Sequence, residues 1–256
     1  MFLEINLKSK ELLKNTQVNV ILPNDLSEDS PCKVLWLLHG LSDDYTNWMR
    51  NTAIERHAGK YNLAVIMPSV DRSWYTNTKY GMNYFNYITK ELPALMHKTF
   101  KGLSKKREDN IIGGLSMGGY GALKSALTFP EKYGYCISLS GALDITMKGR
   151  PGRINEWKAI FGYDMQDSVE LEGSEHDLFA LAKKANREGK QLPEIYMWCG
   201  LDDGLLDTNY AFDKHLSSLG AEHYFGVSEG NHSWQWWDLH IQNALAWVFD
   251  GQTPKF

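Results

Sequence analysis

Six short apolar runs without alternation constrain this chain more than any other feature: VLWLLH (34–39), LAVIMP (63–68), NIIGGL (110–115), YCISLS (135–140), IYMWCG (195–200) and HYFGVS (223–228). A strand with one wet face alternates apolar and polar residues. Unbroken runs instead suit strands buried on both faces, as in a parallel sheet covered by helices. The intervals leave room for crossover helices near 46–59, 83–100, 117–128, 175–188, 207–219 and 234–249, with Pro130, Gly189 and Gly220 as stops. At the N-terminus, FLEINLKS and TQVNVILP do alternate and carry β-branched residues, which predicts an antiparallel pair at one sheet edge. The fold class is therefore α/β, one domain over 1–256 with about eight mostly parallel strands and helices on both faces. Residues 141–174, rich in glycine and charge, are too long for a simple crossover and are expected to form a short rim or cap with a fairly open mouth.

Composition excludes several classes of function. The net charge is −4 and Lys and Arg are scattered, so no basic surface for nucleic acid is expected. No stretch approaches the ~18 apolar residues of a membrane span and no basic-then-apolar leader opens the chain, which places it in the cytoplasm as an expectation. Cys32, Cys136 and Cys199 are odd in number and far apart, and read as reduced core thiols. No H-E-x-x-H, C-x-x-C or paired-acid calcium loop occurs, so neither metal nor cofactor is expected. A homo-oligomer is left open.

The chemistry begins at Gly114-Leu115-Ser116-Met117-Gly118, a G-x-S-x-G between a strand-like run and a helix-like one. At such a junction the small residues permit a sharp turn that lifts a serine above the sheet, with the helix N-terminus beneath any developing negative charge. The competing reading, a phosphate cradle or an ordinary turn, is weakened because no Gly-Lys-Ser/Thr follows and no G-x-G-x-x-G lies at the junction. A serine hydroxyl needs a base to take its proton and an acid to orient that base.

Among the later histidines, His232 lies in a loop-like stretch between the last strand and the last helix. His223 begins a strand, and His215 and His240 fall in helices. The loop after 195–200 offers Asp202 and Asp203, which spacing alone does not separate; Asp207 reads as a cap or first-turn acid. Oxyanion donors are expected from the Met117 N–H and, after the first buried strand, from the Leu41 N–H in His39-Gly40-Leu41, where His39 shapes the loop. The chain holds 9 Trp, 13 Tyr and 10 Phe; of these, Trp74 and Trp234 are the expected lining of a substrate pocket.

The segments HGLSDDYTNW (39–48), GGLSMGGYGAL (113–123), CGLDDGLLD (199–207) and GNHSWQWW (230–237), in this order, resemble the esterase D-like branch of the α/β-hydrolases. That branch includes S-formylglutathione hydrolases and small carboxylesterases, and the resemblance is nearest to the streptococcal and lactococcal tributyrin esterases. It implies the α/β-hydrolase fold, Ser116 as nucleophile, His232 as base and, through its glycine-x-x-aspartate pattern, Asp203 rather than Asp202 as the acid. It also supports Leu41 and Met117 as oxyanion donors. The implied activity is hydrolysis of small short-chain acyl esters by a serine carboxylesterase, with an S-formylglutathione hydrolase-type thioesterase or an acyltransferase on the same scaffold as alternatives. One departure counts against the thioesterase: Ser42-Asp43-Asp44 stands where S-formylglutathione hydrolases typically carry a cysteine.

Overall fold

The computed structural model describes residues 1–146, 154–162, 164, 166–254 and 256. Its strands are β1 (Phe2–Lys8), β2 (Asn15–Ile21), β3 (Val34–Leu38), β4 (Ala64–Pro68), β5 (Asn110–Leu115), β6 (Tyr135–Leu139), β7 (Glu194–Gly200) and β8 (His223–Ser228). They form one sheet in the order β1-β2-β4-β3-β5-β6-β7-β8. β2 pairs antiparallel with both β1 and β4, and every other pairing is parallel. All six unbroken runs become strands, and the alternating N-terminal segments become the antiparallel edge pair.

The helices are α1 (Asn47–Asn51), α2 (Ile54–Lys60), α3 (Tyr84–Asn86), α4 (Leu92–Thr99), α5 (Met117–Thr128), α6 (Ile154–Phe161), α7 (Leu178–Arg187), α8 (Leu206–Ser218) and α9 (Trp234–Asp250). They cover both sheet faces. In β3, Val34, Trp36 and Leu38 face a core shared with α4, α5, α7 and α8, whereas Leu35 and Leu37 face a second core shared with α1, α2 and α9. Every β3 residue is consequently buried, which is why its sequence shows no alternation. Cys32, Cys136 and Cys199 are buried free thiols.

Two predicted helices differ in detail. The one near 46–59 is split into α1 and α2, because the Ala53 N–H donates to Asp238 Oδ1 of α9 at 2.8 Å instead of continuing the helix. The one near 83–100 contains a π-turn at Tyr87–Glu91 between α3 and α4. Of the expected rim, α6 and a turn at Ser168–Leu171 are described. Trp157 of α6 is buried edge-on against Trp74, and its indole N–H donates to the Ile145 carbonyl at 3.0 Å. Residues 147–153, 163 and 165 of that segment, and with them the expected openness of the mouth, lie outside the described residues. No helix among the described residues is long and apolar enough to cross a membrane.

Register brings the strand ends together. Leu38 pairs with Gly114, Leu115 with Leu139, Leu139 with Trp198, and Gly200 with Ser228. The carboxyl ends of β3, β5, β6, β7 and β8 thus share one rim, where ligand sites of open α/β sheets form.

Candidate active site

Ser116 joins β5 to α5 with φ 53 and ψ −118, a left-handed conformation that a non-glycine residue adopts only when its surroundings enforce it. The enforcement is visible in the backbone. Its N–H donates to the Leu139 carbonyl at 2.9 Å, and its carbonyl accepts the Ala142 N–H at 3.0 Å, so the end of β6 and the loop that follows it grip the turn from both sides. The flanking glycines permit the close approach: a Cβ at Gly118 would lie 2.4 Å from the Leu38 carbonyl oxygen, and one at Gly114 would lie 2.7 Å from the same oxygen.

The loop after β8 brings His232 to this serine. Gly200 at the end of β7 makes room, since a Cβ there would lie 2.3 Å from the Gly230 backbone, and the Asp202 N–H donates to the Gly230 carbonyl at 2.8 Å. His232 Nε2 lies 3.0 Å from Ser116 Oγ, and its Nδ1 lies 2.9 Å from Asp203 Oδ2. The Asp203 side chain has no solvent exposure, whereas Asp202 is exposed. Burial alone would raise the Asp203 carboxyl. Hydrogen bonds from His232, the Leu205 N–H and Ser140, together with the His232 charge, outweigh burial and hold the carboxyl below the usual carboxylate range.

Two residues of this site went unnoticed in the sequence. Ser140, with φ 48, follows β6 as Ser116 follows β5. Its hydroxyl serves Asp203 and accepts the Trp237 indole N–H at 3.0 Å. The Trp237 ring stands edge-on to the His232 ring at 4.9 Å between centroids. The available signal was positional: a small polar residue directly after a buried strand, on the same rim as Ser116.

Among the described residues, neither the Leu41 N–H nor the Met117 N–H has a hydrogen-bond acceptor, although Met117 is fully buried at the first position of α5. Unpaired N–H groups at a helix N-terminus and in a neighbouring turn suit an anionic oxygen. His39 is occupied: its Nε2 accepts the Val70 N–H at 3.0 Å, its Nδ1 donates to the Gly40 carbonyl at 2.7 Å, and burial lowers its pKa. Asp43 accepts the Gly40 N–H at 3.2 Å, and burial leads in pushing its carboxyl up.

The two expected lining residues differ. Trp234 is partly exposed and packs edge-on against Trp48 and Trp237. Trp74 is only 1% exposed, with its surface taken up by Tyr120 and Trp157 and its indole N–H lacking an acceptor among the described residues. No group of three or more His, Cys, Asp or Glu among the described residues is arranged to hold a metal.

Comparison with known proteins agrees with this architecture. The family model described as "Putative esterase" matches residues 9–248. An acetyl esterase of Caldicellulosiruptor saccharolyticus is 35% identical, covering 96% of this chain and 97% of that protein. Among solved structures, FphF, a fluorophosphonate-binding serine hydrolase of Staphylococcus aureus, is similar with a TM-score of 0.90 and 38% identity over 97% of this chain and 98% of its own. The S-formylglutathione hydrolase FrmB of the same organism has a TM-score of 0.84 and 36% identity over the same shares. The chain therefore belongs to the Esterase family, on the esterase D-like branch of the α/β-hydrolases.

Proposed function

We propose that this protein hydrolyses short-chain carboxylic esters through an acyl-enzyme on Ser116. The observation that carries the reading is the chain Ser116 Oγ, His232, Asp203, with links of 3.0 and 2.9 Å on a strained strand-to-helix turn. Ser116 Oγ attacks the ester carbonyl carbon as its proton passes to His232 Nε2. Asp203 holds the Nδ1–H tautomer and stabilises the imidazolium. The oxygen of the tetrahedral intermediate lies against the Leu41 and Met117 N–H groups. Its collapse breaks the bond to the alcohol, which leaves with the proton from His232. Water then repeats the sequence: His232 takes its proton, the hydroxyl adds to the acyl carbon, and the carboxylic acid departs as Ser116 regains its hydrogen.

The acetyl esterase relative supports a short acyl group. The similarity to FrmB favours one second reading, hydrolysis of a thioester such as S-formylglutathione. Against it, Ser42-Asp43-Asp44 stands where S-formylglutathione hydrolases typically carry a cysteine. A panel of p-nitrophenyl acetate, butyrate and long-chain esters beside S-formylglutathione separates these readings by kcat/KM. Acetate or butyrate is expected to rank first, and a long-chain ester or the thioester ranking first overturns the choice. A fluorophosphonate should label the wild type and not Ser116→Ala; a wild type left unlabelled refutes the nucleophile.

A further inference from the structure

We infer that Arg72 is a positioning residue that aims the Leu41 N–H by tying the Leu41–Ser42 turn to the rim helix α6, an inference that rests on the oxyanion role proposed for Leu41. Arg72 Nη1 donates to Ser42 Oγ at 2.6 Å. On its other edge, Nε and Nη2 lie 3.1 and 2.8 Å from Glu156 Oε1 of α6. These contacts hold the guanidinium from two edges, and Glu156 supplies an opposite charge, so the protein fixes the Arg72 head group between the turn and α6. Ser42, next to Leu41, has φ 73, a conformation a serine keeps only under constraint.

The foot of this strut is fixed. Arg72 lies in a segment where Asp71, Trp74 and Tyr75 all have positive φ, at 51, 52 and 48. Lys14 and Tyr84 both bond Asp71. The Val70 N–H donates to His39 Nε2, the Tyr75 hydroxyl donates to the His39 carbonyl at 2.8 Å, and Lys124 Nζ donates to Thr76 Oγ1 at 2.7 Å. The segment thus braces the His39–Leu41 turn from behind, and Arg72 reaches over it to hold Ser42 from the rim side. Because the Arg72 side chain is 52% exposed, its ion pair contributes little to global stability. Its effect is expected in the placement of the Leu41 N–H, where a displacement of about 1 Å alters rate.

The test is a double-mutant cycle of Arg72→Ala and Ser42→Ala on p-nitrophenyl acetate, with Tm recorded for each variant. Each single change is expected to lower kcat about tenfold or more with KM within about twofold. The double variant should be no worse than the more damaged single one, because both changes remove the same contact. Arg72→Lys, which cannot span both partners, should recover only part of the rate. Unchanged kcat in both single variants, a raised KM with kcat intact, or effects that multiply in the double variant overturn the inference. Leu41→Pro, which removes the N–H itself, separates this failure from that of the underlying reading. Loss of kcat in Leu41→Pro beside an intact Arg72→Ala sinks the Arg72 role alone; wild-type kcat in Leu41→Pro removes the oxyanion role and the inference with it.

Discussion

Ser116 holds a backbone conformation that costs a non-glycine residue about 1–3 kcal/mol, and bonds to Leu139 and Ala142 keep it there. The placement of the proposed nucleophile therefore depends on residues outside the Ser116, His232 and Asp203 chain. Asp203→Asn preserves shape and removes the charge that selects the His232 tautomer, so kcat should fall on the order of 10³- to 10⁴-fold with the fold intact by circular dichroism. Ser140→Ala takes a donor from Asp203 and an acceptor from the buried Trp237 N–H. It should cost about 1–3 kcal/mol in urea denaturation and lower kcat as the Asp203 carboxyl rises. Wild-type kcat in Ser140→Ala would show that Asp203 needs no such brace.

Among the elements, the β5–α5 junction tolerates the least change. Gly118→Ala would drive a methyl group into the Leu38 carbonyl oxygen, which is backbone and cannot turn aside. We expect about 1–3 kcal/mol of destabilisation from overpacking and a loss of fluorophosphonate labelling as Ser116 moves away from His232; retention of both Tm and labelling would contradict this. The elements themselves were largely legible, since burial on both faces erases alternation and glycine ends helices. Gly189, Gly220 and Gly251 do follow α7, α8 and α9 or their caps with φ of 64, 67 and 60. The break between α1 and α2 was not legible, because its cause is Asp238, a carboxylate on α9.

At the scale of the whole molecule, burial of titratable groups ties stability to pH. Burial pushes His240 down to about 4, where it stacks on Trp198 at 3.8 Å with both ring nitrogens unpartnered among the described residues. Burial, aided by Lys124, pushes His176 down to about 3. Below an unfolded pKa near 6.5 the unfolded chain takes up protons that the folded chain refuses, so stability present above pH 6.5 is lost as pH falls toward 3 to 4. His240 accounts for a loss on the order of 3 kcal/mol. His240→Phe should therefore raise Tm at pH 7 and flatten its decline between pH 6.5 and 4; an unchanged pH profile would rule out the histidine as a cause. Lys124, pushed down to about 7 by burial, acts higher: the unfolded chain keeps its proton up to about 10.5, so this term adds stability as pH rises from 7.

The sequence by itself determined the strand order along the chain, the burial of the sheet on both faces, the antiparallel edge and a serine at a strand-to-helix turn. Those properties are written in neighbouring residues, as periodicity and as glycines at fixed offsets. It narrowed the acid only to Asp202 and Asp203, with family resemblance pointing to the latter. Which carboxylate meets His232, which serine and tryptophan stand behind it, and which arginine holds the Leu41 turn were decided only by tertiary structure. His232 is 29 residues from Asp203 and 116 from Ser116, and separations of that size close only when parallel strands in register bring their carboxyl ends to one rim.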